Sequence, residues 1–204
     1  MNKAHWLLLL FWVLYCLIHS FLANSGVKRK IERISGVAFR YYRILYNLFA
    51  TITLALLLWY QFTIDSYPLF SIPVLQYTAG IAILIPGIYI MLVSIHKYFY
   101  ELSGIQVLQH KVQKVTLRKD GMHRYVRHPL YLGTLLFVWG LFLMMPLLSN
   151  LIACLIIWLY TLVGIRLEEK QLIQQYGEAY KIYSKRVPAL LPGIKRGLKQ
   201  NKGP

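Results

Sequence analysis

The chain is 204 residues long, 57% apolar and 15% charged, with a formal net charge of +16. That length suits one domain or a small membrane bundle, and positive mean hydropathy with long uncharged runs argues for the bundle. No basic–aromatic interleaving in a soluble domain points to nucleic acid, and Cys16 and Cys154 both fall inside apolar runs, so neither a disulfide nor a thiolate–zinc site is indicated. A membrane-spanning helix needs about 20 apolar residues. Five runs meet or approach this, at 6–23, 44–64, 74–95, 130–148 and 151–165. The last is short, and Pro146 with Ser149-Asn150 predicts a tight helical hairpin turning near the far interface. The first resembles a signal peptide at 21–25, but its basic residues follow rather than precede it, which predicts an uncleaved span.

Charge sets the expected orientation. Of 23 Lys and Arg residues, 22 fall in the segments on one side of these spans and only Lys3 on the other. The positive-inside rule places the 22 in the cytoplasm, the N-terminus outside and the C-terminus inside. Basic residues bordering spans set topology and touch anionic headgroups, so membrane lipids are the first partner expected. The fold class is therefore all-α integral membrane, about five transmembrane helices plus a cytoplasmic C-terminal helix. Its divisions are 1–96 (three spans and a basic loop), 97–192 (cytoplasmic loop, helical hairpin, C-terminal helix) and 193–204 (basic tail).

Along the chain, His19, Ser20 and Asn24 form a polar edge at the inner end of the first span. Residues 26–43 read as a short basic amphipathic helix on the membrane surface, with Val27, Ile31 and Ile34 on one face. Asn47 suits a helix–helix hydrogen bond, and Pro86-Gly87 predicts a kink in the third span. A polar stretch from His96 to His128 is long enough to suggest function. Its histidines lack a paired metal-ligand spacing, so no metal is expected.

That stretch ends at Tyr125-Val126-Arg127-His128-Pro129-Leu130-Tyr131-Leu132-Gly133. Proline is tolerated at the first helical position, and the residue before it is pushed out of helical geometry, so His128 should lie just outside a helix. Unpaired N–H groups at a helix start suit an anion. Arg127 and His128 add donors there, and Tyr131 faces the same side. A second polar cluster, Arg166-Leu167-Glu168-Glu169, follows the last apolar run and is placed to close over the first. Residues 166–185 read as one helix, acidic at its start and basic at its end, carrying Tyr176, Tyr180 and Tyr183 as a stripe for packing or for ligand stacking.

The pairing of Arg127-His128-Pro129-Leu130-Tyr131-Leu132-Gly133 with Glu168-Glu169 and the segment Tyr176-Gly177, Tyr180, Tyr183 and Val187-Pro188 resembles the isoprenylcysteine carboxyl methyltransferase superfamily, which includes phospholipid methyltransferases. The N-terminal half, through His19-Ser20 and Tyr42-Arg43-Ile44-Leu45-Tyr46-Asn47, is similar to its bacterial branch of methanethiol S-methyltransferases and nitric-oxide-metabolism membrane proteins. The resemblance implies a bacterial inner-membrane enzyme with S-adenosylmethionine as cofactor and a lipophilic or small-molecule acceptor from the bilayer. It implies cofactor contacts from Gln109, Val115, Thr116, Leu117, Arg118, His123, His128, Pro129, Leu130, Tyr131 and Glu168. Catalytic roles would fall to Arg166, Glu169 and Arg127, a cation holding a thiolate or carboxylate acceptor. This chain departs at His123, where relatives carry tyrosine, and at Gly164, where animal enzymes carry a substrate-contacting arginine. Two other readings stand beside it. A nicotinamide-dependent sterol-type membrane reductase shares Arg-His-x-x-Tyr but places an acidic residue where this chain has Thr134. In a non-catalytic membrane protein, Arg127 and His128 would only cap a helix.

Overall fold

The computed structural model describes residues 2–36, 41–103 and 117–191. It contains α1 (Lys3–Ala23), α2 (Ser25–Ser35), α3 (Tyr42–Thr63), α4 (Pro73–Ser103), α5 (Pro129–Met144), α6 (Leu148–Tyr176) and α7 (Glu178–Arg186), with a 3-10 turn at Gly121–Arg124 before α5. Helix starts follow local chemistry. The Asn2 side chain accepts from the His5 N–H at the head of α1, and the Asn24 oxygen accepts from the Gly26 N–H at the head of α2. Pro73 and Pro129 open α4 and α5, where a missing N–H leaves nothing unpaired.

The protein is an integral membrane protein. Helices α1, α3, α4 and α6 are each long and apolar enough to cross a bilayer, and α5 is a shorter apolar helix of 16 residues. All five apolar runs thus become helices, but the short one is the fourth, not the fifth. The turn lies at Met145–Leu147 rather than at Ser149-Asn150. Both polar residues sit in the first turn of α6, the Ser149 N–H held by the Ser66 hydroxyl and the Asn150 side chain satisfied within the bundle. Asn150 donates to the Met145 carbonyl (2.9 Å) and accepts from the Gln61 amide (2.8 Å), whose oxygen accepts from Trp12 Nε1 (2.9 Å). A polar pair supplied with partners does not end a helix. The helix expected at 166–185 is also corrected: α6 carries those charges itself, runs 29 residues to Tyr176, and stops at Gly177, whose φ of +55° favours glycine.

The helices pack in the order α4–α5–α6–α1–α3. The α4–α5 pair is the closest, and glycine makes it so. A Cβ on Gly87 would lie 2.6 Å from the Phe137 nitrogen, and one on Gly140 would lie 2.8 Å from the Leu84 nitrogen. Gly80/Gly87 and Gly133/Gly140 each repeat after seven residues, so two small faces meet antiparallel and the backbones touch. The Pro86-Gly87 pair therefore serves close packing, within a helix that runs through to Ser103. Leu8, Trp12, Leu57, Ile152 and Ala153 form the core shared by α1, α3 and α6.

The far ends of the helices are clasped together. The Leu69 N–H donates to the Pro146 carbonyl (2.8 Å) and the Leu148 N–H to that of Tyr67 (3.2 Å). The Ser66 hydroxyl accepts from the Ser149 N–H (2.9 Å) and lies 3.1 Å from His5 Nε2. At the opposite end α2 carries Lys28, Arg29, Lys30 and Arg33 and ends at Ser35, earlier than the expected 26–43; residues 37–40 lie outside the described residues.

Candidate active site

The two polar clusters meet at the end of the bundle opposite the clasp. Pro129 starts α5 as its sequence requires, and His128 stands just before it at φ −123°, ψ 68°. The loop leading in is held by the C-terminal strap: the Arg127 N–H donates to the Pro188 carbonyl (2.8 Å) and the His128 N–H to the Ala189 carbonyl (3.1 Å). The Arg127 guanidinium then reaches across to α6. Its Nε donates to Glu169 Oε1 (2.7 Å), with Nη2 at 2.5 Å from the same oxygen. Nη1 donates to the Ser184 and Val187 carbonyls, at 2.8 and 2.5 Å. Five donors in a planar fork suit this junction, where three chain segments meet.

His128 is buried and shared between the two glutamates, with Nε2 3.2 Å from Glu169 Oε1 and Nδ1 3.6 Å from Glu168 Oε2. The carboxylates differ in exposure. The Glu169 side chain is 24% exposed and engaged by Arg127 and His128, whereas that of Glu168 is 44% exposed. Tyr131 stacks at a tilt on His128 (5.6 Å between rings) and stands beside the Glu168 carboxylate. Beneath them Tyr180, Tyr183 and Val187 form a small buried core with Leu117, Leu172 and Tyr176 against it. The Tyr180 hydroxyl is buried beside the Glu169 carboxylate without a well-formed hydrogen bond among the described residues, and burial pushes its pKa up. The Tyr183 hydroxyl donates to the His123 carbonyl (2.7 Å). His123 Nδ1 lies 3.0 Å from the Arg127 carbonyl, and burial holds that imidazole below its ordinary pKa. Farther out, Lys97 on α4 pairs with Asp120 in the loop.

The expected site residues therefore divide into groups. Arg127, His128, Pro129, Tyr131, Glu168 and Glu169 come together, with Leu130 in the first turn of α5 and His123 bracing the loop. Leu117 packs on the C-terminal tyrosines. Arg118 lies just beyond it in the loop. Arg166 is exposed and lies about 200° around α6 from Glu168, away from the cluster. Gln109, Val115 and Thr116 lie outside the described residues. Backbone groups are what sequence reasoning missed: the carbonyls of Ser184, Val187, Pro188 and Ala189 orient Arg127 and His128, and only the Val187-Pro188 pair hinted at them.

Among the described residues, the site sets a partly exposed carboxylate near the start of a helix whose N-cap side chain makes no capping bond. Within α5, Leu132 is the first of the described residues whose N–H finds an intrahelical partner, the His128 carbonyl, and the His128 side chain does not cap the helix. A family profile described as phospholipid methyltransferase matches residues 75–179, just over half of the chain and all of this cluster except the strap and the end of α7. The chain belongs to that family. Methanethiol S-methyltransferase 2 of Bradyrhizobium diazoefficiens is 30% identical over 198 residues, 91% of this chain and 72% of that relative. The methanethiol S-methyltransferase of Crocosphaera subtropica is 39% identical over 79 residues, 38% of this chain and 29% of its own. The protein-S-isoprenylcysteine O-methyltransferase of Schizosaccharomyces pombe is 38% identical over 78 residues, 37% and 32% of the two chains. The chain thus spans about a third of the length of most of the curated relatives it matches. No solved structure matches it.

Proposed function

We propose that this family member is a methyltransferase using S-adenosylmethionine, with the cofactor held where α5 begins and α6 carries Glu168-Glu169. The half-exposed Glu168 carboxylate, 3.6 Å from His128 Nδ1 at the head of α5, is the observation that supports this. The cofactor's amino-acid end carries one ammonium and one carboxylate. Glu168 fits the first, and the Leu130 and Tyr131 N–H groups fit the second. Gln109, Val115, Thr116, Leu117 and Arg118 belong to this reading as further cofactor contacts, as the resemblance implies.

When bound, the cofactor supplies an electrophilic methyl group on sulfur, which a lipophilic or small thiol or carboxylate acceptor takes with its electron pair, leaving a neutral thioether. A thiol acceptor loses its proton to solvent in the process. The chain contributes alignment and exclusion of water, and orientation alone supplies roughly 7–11 kcal/mol of such a barrier. Arg127, with its guanidinium engaged by Glu169 and two carbonyls, and Glu169 in turn, are positioning residues that hold His128 in place. The site end of the bundle faces the cytoplasm, with 1–96 as scaffold and 97–192 as the catalytic part.

The test is calorimetry of the purified full chain with S-adenosylhomocysteine and with NADPH. Binding of the former, weakened at least tenfold in Glu168→Gln with an unchanged melting temperature, is expected. Binding of NADPH instead points to a membrane reductase, and binding of neither points to a non-catalytic protein.

A further inference from the structure

A groove of about 320 Å³ runs between α1 and α3, open along one side. Phe11, Leu14, Phe49, Leu56 and Trp59 line it and are themselves exposed, and among the described residues no charged group lines it. In an integral membrane protein such a surface faces lipid tails, not water. His19 and Tyr46 stand at its inner end, the tyrosine oxygen 2.8 Å from His19 Nε2. A neutral imidazole and a phenol bring two donors, and their mutual bond leaves one for a further uncharged acceptor. At 1.5 Å per helical residue the groove runs about 12 Å along α1, from His19 to Phe11, and about 21 Å along α3, from Tyr46 to Tyr60. Those lengths bracket the roughly 15 Å depth of one leaflet's hydrocarbon.

Positive charge stands one step farther out. His19 lies four residues, about 6 Å, before the end of α1 at Ala23. Asn24 then caps α2, and the Tyr42 hydroxyl donates to the Leu22 carbonyl (2.7 Å), which ties the head of α3 to the same point. Helix α2 therefore starts at the mouth of the groove. It carries Lys28, Arg29, Lys30 and Arg33 against one acid, Glu32. Val27, Ile31 and Ile34 share a face at helical spacing; the first two are half-buried and Ile34 is 78% exposed. An apolar stripe beside cations suits the interfacial layer, about 5–7 Å thick outside the hydrocarbon core. The step from His19 to α2 matches that thickness.

We propose that the α1–α3 groove and α2 together form a site for one anionic phospholipid of the leaflet on the α2 side. One acyl chain fills the groove, its ester carbonyl accepts from the His19–Tyr46 pair, and its phosphate meets the α2 cations. This site is independent of the methyl-transfer reading of the Glu168 cluster. A free fatty acid would bring its carboxylate to His19 and Tyr46, where the lining holds no cation. A zwitterionic headgroup would bring a cation of its own to a helix that already carries four. General attraction of basic segments to a bilayer surface needs no groove. Here the chain, the ester and the phosphate each meet a different partner, so a single molecule is retained.

The experiment releases the full chain from nanodiscs of equal phosphatidylglycerol and phosphatidylcholine into native mass spectrometry. One phosphatidylglycerol is expected to stay bound, at least about fivefold over phosphatidylcholine. The double variant Lys30→Gln, Arg33→Gln should bring that ratio below about twofold. Phosphatidylglycerol with a diazirine in one acyl chain should label peptides of α1 and α3 around the groove. Ala50→Trp, which fills the groove, should cut that label at least about fivefold. If Ala50→Trp does not fold, the headgroup ratio in the α2 double variant decides the matter, because both positions are exposed. Equal retention of the two lipids, a ratio unchanged in the double variant, or label spread over all lipid-facing helices overturns the proposal. Displacement of the lipid by inorganic phosphate, or label confined to a contact between two copies, overturns it as well.

Discussion

Glu168 and Glu169 are neighbours in the chain and opposites in circumstance. Glu169 sits under Arg127 and His128, while Glu168 keeps almost half of its side-chain surface in the open. Removing one member of a partly buried ion pair leaves the other without compensation, at a cost on the order of 3 kcal/mol. Arg127→Ala and Glu169→Gln should therefore both lower the midpoint of denaturant-induced unfolding, and Glu168→Gln should not. Equal losses in all three would mean that the two carboxylates share one structural role. His123 offers a pH test. Burial favours its neutral form in the folded chain, so the unfolded chain binds the proton more readily. Stability from this group is complete above the ordinary histidine pKa and is lost as pH falls through it. Melting temperatures between pH 7.5 and 5 should fall less steeply in His123→Gln than in the wild type; parallel curves would rule this histidine out as the source. Both residues could be read from sequence as polar groups flanking an apolar run. Their difference could not, because the Arg127 partners Ser184 and Val187 contribute only main-chain oxygens, which every residue has.

Helices α4 and α5 are joined by absence of side chains. Each contributes two glycines seven positions apart, and the partner backbone occupies the space that a methyl group would take. Gly87→Ala and Gly140→Ala should each destabilise by about 1–3 kcal/mol through overpacking. Gly164→Ala, whose new carbon would meet only an ordinary contact at 3.8 Å, should be neutral or slightly stabilising from improved helix propensity. Thermal unfolding of the three variants side by side checks this, and an equal loss at Gly164 would show that the seam is not the cause. The seven-residue repeat of glycine is visible in the sequence, but the eye follows Pro86 first. Helix ends were less legible. Ser149-Asn150 looks like a break until Gln61 and the Met145 carbonyl are seen to satisfy it, and those partners are remote or main-chain.

For the whole molecule the one-sided distribution of basic residues remains the strongest topological signal. Asp65→Cys, at the clasped end, and Lys185→Cys, beside the strap, should react with a membrane-impermeant maleimide from opposite sides of sealed vesicles, Lys185→Cys from the cytoplasmic side. Labelling of both from one side would invert or break the proposed topology. Sequence alone determined that this protein is a helical membrane bundle, that it carries Arg-His-Pro ahead of one helix and paired glutamates on another, and which family those motifs resemble. These are properties of composition, period and local order, which chain connectivity carries directly. Only the tertiary structure decided that Arg127 braces Glu169 while Glu168 stays open, and that the fourth span is the short one. Those outcomes depend on which distant backbone groups arrive beside a side chain, and on how closely two helices approach, and neither is written at any single position.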